Sequence, residues 1–460
     1  MLTIVNPATE AVLRELPEDT PDSIRAKATA ARAAQPAWAA RPRGERLRAI
    51  ARFRDSLIRD AEALARTLTA EMGKPIAHAR NELRAMPERI GFFLDHAGPA
   101  LDDEVVLRRG EGGVPELEER IRWEPLGVVA NISAWNYPYF VASNVFLPAL
   151  LAGNAVLYKP SEHATLTGLA IAERLREAGV PEDVFIPVVG AGSTGAALLE
   201  QRLDAVFFTG SYATGRRIAE AVAPKLIHLQ LELGGKDPVY VCDDVDPAAA
   251  AAAMAEGAFY NAGQSCCAVE RIYVHRRIAD AFTAALVAEA RGLKVGDPQG
   301  EDTYIGPLAR REQLDVLGRQ VEDAAGRGAE VRTGGRRLDR PGWFFEPTVV
   351  ARADHSMALM REESFGPVIG VQAVDSDDDA VALMNDTEYG LTAGVYTHDR
   401  GRAERILARV DAGTAYWNCC DRVSPRLPWT GRKHSGLGST LGVLGIRAMV
   451  RPKAYHLRRG

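Results

Sequence analysis

Apolar positions in the first hundred residues recur three and four apart. Over Pro21 to Trp38 and Gly44 to Met72 charged residues fill the positions between them, which predicts amphipathic helices. After Pro125 the texture changes to short apolar runs: Gly127 to Ile132, Asn154 to Tyr158, Val184 to Val189 and Ala205 to Phe208. Helix-patterned stretches such as Thr165 to Ala178 separate them, and this alternation predicts an open parallel sheet with helices on both faces. Val239 to Val241, Arg271 to Val274 and Val368 to Val371 repeat the pattern, so two α/β units dividing near residue 235 are expected. Arg108 to Glu119, with Gly110, Gly112, Gly113 and Pro115, reads as a loop or hairpin tip.

Composition narrows the class. A chain of 460 residues exceeds one ordinary core, and 47% apolar with 25% charged residues is the balance of a folded globular protein. A net charge of −5 offers no pull toward nucleic acid or an anionic membrane, and neither partner is expected. The alanine run Ala248 to Ala253 is too short to span a bilayer, and Asp246-Pro247 before it reads as an N-cap and a first-turn proline. Met1 to Pro7 lacks the basic and apolar regions of a signal peptide, and five cysteines are too few for a disulfide scaffold. A cytoplasmic location and no metal site are expected.

Two segments carry candidate chemistry. In Gly263-Gln264-Ser265-Cys266-Cys267 a tight turn presents a thiol that can act as a nucleophile; Cys266 and Cys267 stand equally near that turn. In Leu231-Glu232-Leu233-Gly234-Gly235-Lys236 a glutamate lies among apolar and glycine residues, a setting that raises a carboxylate pKa and makes it a base. Such a pair can form a thioester and then hydrolyse it. Gly190-Ala191-Gly192-Ser193-Thr194-Gly195 is a literal G-x-G-x-x-G, readable as a dinucleotide fingerprint or as a glycine-rich βα loop. The strand after it ends in Thr209-Gly210, without the acid that would hold a ribose. Phe208-Thr209-Gly210-Ser211, with Gly215 beyond, is the better phosphate turn, because glycine admits the backbone and a helix N-terminus supplies N–H donors.

With Tyr158-Lys159-Pro160-Ser161-Glu162, Trp135-Asn136-Tyr137-Pro138, Glu362-Glu363-Ser364-Phe365-Gly366-Pro367 and Asn385 to Leu391, these segments resemble the NAD(P)-dependent aldehyde dehydrogenase superfamily. The resemblance runs from Asn6-Pro7-Ala8-Thr9 to Ser435-Gly436-Leu437-Gly438. It implies two Rossmann-like open parallel-sheet domains plus a small β oligomerisation arm. The cofactor domain is then 1–113 with 125–234, the catalytic domain 235–430, and the arm 114–124 with 440–460. It further implies Cys266 as nucleophile, Asn136 with the Cys266 backbone N–H as oxyanion donors, and Glu232 as the base of hydrolysis. Cofactor contacts are implied for Lys159, Glu162, Gly190, Gly210, Ser211, Gly215, Leu233, Glu363 and Phe365, with Glu362 the competitor of Glu363. A carboxylate at Glu162 repels a 2′-phosphate, so NAD is preferred and NADP admitted.

For the substrate the resemblance implies a tunnel lined by Tyr137, Phe140, Asn144, Ser265, Cys267, Cys420 and Trp429. Aromatic walls suit an apolar or cationic tail. Arg422, Arg426 and Arg432 of the late loop either face inward, favouring an acidic semialdehyde, or lie on the surface, so acidic semialdehydes, aminoaldehydes and general aliphatic or aromatic aldehydes all stand as candidate substrates. Cys419-Cys420 reads as two packed thiols or as half of a redox gate. CoA-acylating or phosphorylating relatives and a non-catalytic relative are the alternatives; Glu232 argues against the first two. Gly438-Ser439-Thr440 departs from the Gly-Arg-Glu usual in the family. A homodimer or homotetramer is expected.

Overall fold

The computed structural model describes residues 1–110 and 116–459. Gly112, Gly113 and Pro115 of the expected hairpin tip lie outside these residues.

Val128–Ile132 and Ala155–Lys159 are buried at every position, as continuous apolar runs covered on both faces must be. They sit in a six-stranded sheet ordered Gly436–Leu437, His228–Glu232, Ala205–Thr209, Val128–Ile132, Ala155–Lys159, Phe185–Pro187. All neighbours are parallel except Gly436–Leu437, which runs antiparallel to His228–Glu232. The order reverses between Val128–Ile132 and Ala205–Thr209, and the crevice beyond the carboxyl ends of strands at such a switch is where ligands bind. A seven-stranded sheet follows, ordered Glu330–Thr333, Thr348–Ala351, Val368–Val374, Arg271–His275, Pro238–Val241, Thr392–Tyr396, Thr414–Trp417. Only Glu330–Thr333 is antiparallel there. The chain leaves the first sheet at Glu232 and returns to it at Gly436.

Helices begin where the sequence caps them. Asp246 accepts from the backbone N–H groups of Ala248 and Ala249, with Pro247 in the first turn. Two buried carboxylates cap helices from a distance. Glu71 accepts from the Thr167 N–H at the start of Thr165–Glu177, and Glu82 from the Tyr139 N–H at the start of Pro138–Ala152. Four helices, Pro21–Ala40, Arg43–Arg59, Ala61–Met72 and Ile76–Ala100, fill the region read as helical, but a hairpin of Leu2–Val5 with Val12–Leu16 precedes them.

The arm is a three-stranded antiparallel sheet of Glu104–Arg109, Leu117–Pro125 and Val450–Arg458. Its extent differs from the expected 114–124 and 440–460 at both ends. Glu104–Arg109 pairs into it, whereas Gly442–Arg447 forms a short helix against Ile76–Ala100 and Pro138–Ala152 with Ile446 fully buried. A buried isoleucine ties that helix to the first sheet's core, so the extended arm starts only at Val450.

Candidate active site

Cys266 lies just ahead of Arg271–His275, at the amino ends of the second sheet, and the turn before it is strained. Asn261, Ala262 and Gly263 take φ of 53°, 56° and 71°. For the first two this costs about 1–3 kcal/mol each. At Gly263 a β-carbon would stand 2.3 Å from the Gly366 carbonyl oxygen, so only glycine fits. Buried side chains hold the turn. Asn261 Nδ2 donates to the carbonyls of Asn136 (3.3 Å) and Gln264 (3.1 Å), while Gln264 Oε1 accepts from the Ala309 N–H at 2.9 Å. The two adjacent thiols are thereby separated. Cys266 is half-buried and lines a cavity of about 550 Å³. Cys267 is buried and donates to Asp421 Oδ1 at 3.0 Å. Its hydrogen bond with the Cys266 thiol, then burial and the Asp421 charge, push its pKa well up, so it stays a thiol.

Asn136 follows the Val128–Ile132 strand and is carried to the same cavity by the turn into Pro138–Ala152. The Glu82 cap of that helix pairs with Lys74 at 2.5 Å, both side chains fully buried, and Lys74 Nζ stands 3.8 Å from the centre of the Tyr137 ring. Asn136 and Cys266 are thus brought together.

Glu232 is not. It ends His228–Glu232 outside the lining of that cavity, its Oε1 accepting from Gln230 Nε2 (2.8 Å) and Thr440 Oγ1 (3.0 Å). Oε2 is buried without a protein partner. Burial pushes its pKa to about 8 against its hydrogen bonds to Thr440 and Gln230, and the carboxyl turns back along its own strand.

The candidate cofactor residues stand along the carboxyl edge of the first sheet. Lys159, buried, donates to the Pro160 carbonyl at 3.2 Å with Glu162 3.9 Å away. Burial lowers the Lys159 pKa. Burial raises that of Glu162, but Lys159, its own N–H, His163 and Ser161 together bring it below the ordinary carboxylate value. Ser211 caps Tyr212–Val222, whose first turn holds no acid, and Gly215 and Leu233 are pressed together so that a β-carbon at 215 would lie 2.6 Å from Leu233 Cδ2. Gly210 packs on the Phe208 ring. Gly190 has φ 148° ahead of Gly192–Leu199, but that helix follows the edge strand Phe185–Pro187, not the central strand where a dinucleotide fingerprint sits. Glu363 accepts from the Gly235 N–H at 3.0 Å, while Glu362 is exposed. Burial and Glu270 push the Glu363 pKa to about 7. Glu270 anchors the loop through the Ser364 and Phe365 N–H groups at 2.9 Å each, and Phe365 meets the Trp135 ring edge-on at 5.4 Å. Lysine donors, carboxylate acceptors and an acid-free helix N-terminus form a set able to bind ribose hydroxyls and a pyrophosphate.

Tyr137, Phe140, Asn144, Ser265, Cys267, Cys420 and Trp429 all line the Cys266 cavity. Arg426 does not; it pairs with Glu88 at 2.8 Å on the exposed rim. Arg432 pairs with Asp411, also exposed. Cys420 packs against Gly257, and all five cysteines are free. Sequence reasoning missed Arg89, Asp421 and His78 in the lining. His78 stacks on Tyr260 and burial pushes its pKa to about 3, so it stays neutral. Arg89 had a signal: with Glu82 it interrupts the buried stripe Ile76, Ala79, Leu83, Met86, Ile90, Phe93.

The model of the Aldehyde dehydrogenase family matches residues 1–455. A betaine aldehyde dehydrogenase of Cereibacter sphaeroides is 37% identical over 461 residues, covering 100% of this chain and 94% of the relative. Among solved structures, a point mutant of betaine aldehyde dehydrogenase from Staphylococcus aureus in complex with NAD+ superposes with TM-score 0.94 at 32% identity, covering 99% and 93% of the two chains. An NADP-dependent enzyme of E. coli gives 0.95 at 31% identity, covering 100% and 95%. A family match over nearly the whole length, and the same fold at these identities, mean that the chain belongs to the aldehyde dehydrogenase family.

Proposed function

We propose that the protein oxidises an aldehyde to the free carboxylic acid through a covalent intermediate on Cys266, with NAD preferred and NADP accepted. The observation that carries this reading is the half-buried Cys266 thiol sharing one cavity with the Asn136 side chain, at the end of a turn strained by two left-handed non-glycine residues, Asn261 and Ala262.

The Cys266 thiolate adds to the carbonyl carbon, forming a C–S bond, and the carbonyl oxygen becomes an oxyanion. The Asn136 amide and the Cys266 backbone N–H donate to it, each worth about 3–4 kcal/mol at the transition state. As the C=O bond reforms, the hydrogen on carbon leaves with its electron pair; a nicotinamide, when bound, would supply the acceptor for that hydride. A thioester remains on Cys266. Glu232 then takes a proton from water while the water oxygen attacks the acyl carbon. The C–S bond breaks, returning the thiolate and releasing the acid. For this step the carboxylate must leave Gln230 and Thr440 and turn toward the cavity. With a pKa of about 8, roughly a tenth of it is ionised at pH 7. Lys159 and Glu162 would hold the adenine ribose, Gly210 and Ser211 the pyrophosphate, and Glu363 the nicotinamide ribose. The Glu162 carboxylate disfavours a 2′-phosphate. The relatives' name puts betaine aldehyde in the panel of aldehydes to test.

Rapid mixing of enzyme, NAD and aldehyde without CoA tests the reading. Glu232→Gln should keep a first-turnover burst of NADH and lose steady-state turnover. Loss of the burst as well, or turnover that needs CoA or phosphate, would overturn the hydrolytic role of Glu232. The three-stranded arm, with Val105, Val106 and Leu457 exposed, suits a self-associating dimer or tetramer, which light scattering would read.

A further inference from the structure

Every charged side chain lining the Cys266 cavity has a charged partner except two, Arg89 and Asp421. Lys74 pairs with Glu82 at 2.5 Å, Arg422 with Glu256 at 3.2 Å, and Glu88 with Arg426 at 2.8 Å. Arg89 is only 4% exposed, yet no carboxylate among the described residues pairs with it. Its Nη1 donates to Asn144 Oδ1 at 2.7 Å and its Nη2 to the Val423 carbonyl at 3.4 Å, both neutral acceptors. A guanidinium has five N–H donors in a planar fork, so donors remain for a ligand in the cavity. Burial lowers its pKa only to about 10, which leaves it charged at neutral pH. Glu82 and Glu88 act on it only through space, each already paired with a cation of its own, and a buried guanidinium with no carboxylate in ion-pair contact is a costly arrangement.

The aromatic walls point the same way. The guanidinium carbon of Arg89 lies 4.5 Å from the centre of the Phe140 ring, and Lys74 Nζ 3.8 Å from that of Tyr137. These two rings are parallel to within 8° at 6.0 Å. Each ring therefore already holds one of the protein's own cationic groups, Lys74 paired with Glu82 and Arg89 with no ion-pair partner, and a cationic substrate tail would compete with them for the ring faces. Asp421 does not offset Arg89. It accepts from Ser265 and Cys267 beside the nucleophile, and burial raises its pKa toward the neutral form.

We propose that Arg89 is the specificity-determining residue of this cavity and receives a carboxylate at the far end of the substrate, which is therefore an ω-carboxy aldehyde. Two parallel N–H···O bonds from a buried guanidinium suit that group and give both charge and geometric selection. This rests on the aldehyde oxidation proposed above and assigns its substrate class.

The test measures kcat/KM with NAD for three aldehydes of equal chain length, ending in carboxylate, methyl or trimethylammonium. The carboxylate should exceed the methyl compound by about tenfold or more, as a charge-assisted pair implies, and the ammonium compound should be worst. In Arg89→Met the advantage of carboxylate over methyl should collapse, chiefly through KM, and Arg89→Lys should restore part of it. An equal loss for all three aldehydes would assign Arg89 to structure only and overturn the proposal. So would a wild-type preference for methyl or for ammonium, the latter pointing to Asp421 instead. A second measurement is independent of turnover and of the variants' folding: protection of wild-type Cys266 from iodoacetamide by a dicarboxylate of product length. Protection by the dicarboxylate but not by an equal concentration of a trimethylammonium carboxylate-free analogue is expected; the reverse overturns the proposal. Protection with no oxidation of any aldehyde would overturn the aldehyde-oxidation reading while leaving the carboxylate site standing.

Discussion

Cys266 stands in a loop pinned from every side: Asn261 and Gln264 bond across it, Gly263 leaves no room for a side chain, and Asn261 and Ala262 are held left-handed against their own preference. Glu232 is held by two hydrogen bonds, to Gln230 and Thr440, with one buried oxygen unpaired and its carboxyl outside the cavity. Strain that the surroundings over-determine gives a group one position; a carboxylate with few bonds and an orphaned oxygen keeps the freedom to take another. The contrast matches the proposed chemistry. A thiolate must attack at one place, whereas a base that acts only after the hydride has gone must stay clear until then.

The largest effect should fall on the thiol itself. Cys266→Ala should remove dehydrogenase turnover by about four orders of magnitude or more, while Cys267→Ser, which keeps a donor toward Asp421, should stay within about tenfold of wild type. Comparable loss in both would erase the distinction between the two thiols. Asn136→Ala should lower kcat by about 10²–10³, the cost of one oxyanion donor; a rise in KM alone would make Asn136 a binding residue. Gly263→Ala tests the rigidity of the loop. A β-carbon 2.3 Å from the Gly366 oxygen, at φ 71°, should cost about 1–3 kcal/mol in backbone strain alone. It should lower the urea midpoint and slow alkylation of Cys266 together. A changed midpoint with unchanged alkylation would mean that the loop does not need to be stiff for the thiol to react.

The two regions also differed in how far the sequence revealed them. Residues of the thiol loop and of the strand ends are local: Gly263 to Cys266, Tyr158 to Glu162 and Phe208 to Ser211 are turn chemistry next to apolar runs, and turn chemistry is written in neighbouring residues. Thr392–Tyr396 and Thr414–Trp417 went unread, since one carries an Ala-Gly pair and the other, an edge strand, buries only Tyr416 and is no continuous apolar run. The N-terminal hairpin, with Val12–Leu16 almost wholly exposed, has no buried alternation to reveal it. Arg89 reaches the cavity from a helix about 180 residues before Cys266, and only packing decides that its face meets the tunnel. The orientation of Glu232 is set partly by Gln230, two residues back on its own strand, and partly by Thr440, on a distant segment that departs from the family's usual residues and that no local pattern brings near.

The base side gives the subtlest effect. The Thr440 hydroxyl donates to Glu232 and favours its ionised form, so removing it must raise a pKa already pushed to about 8 by burial. In wild type, turnover limited by hydrolysis should rise with pH through about 8 as the base ionises. In Thr440→Val that rise should move to higher pH: turnover falls by up to about tenfold at pH 7, and the two enzymes converge where both are ionised. Stability follows the same ionisation with a definite sign. The folded pKa of Glu232 lies above its ordinary value of 4.5, so its contribution is fully present below that pH and is lost as pH rises through about 8. Glu232→Gln, neutral throughout, should therefore lose less thermal stability than wild type between pH 6 and about pH 9. If Thr440→Val instead gave a pH-independent loss, or moved the rise to lower pH, Thr440 would be holding the carboxylate away from the cavity more than tuning its charge. The burst measurement would then separate the two, since freeing the base speeds hydrolysis without touching the first turnover.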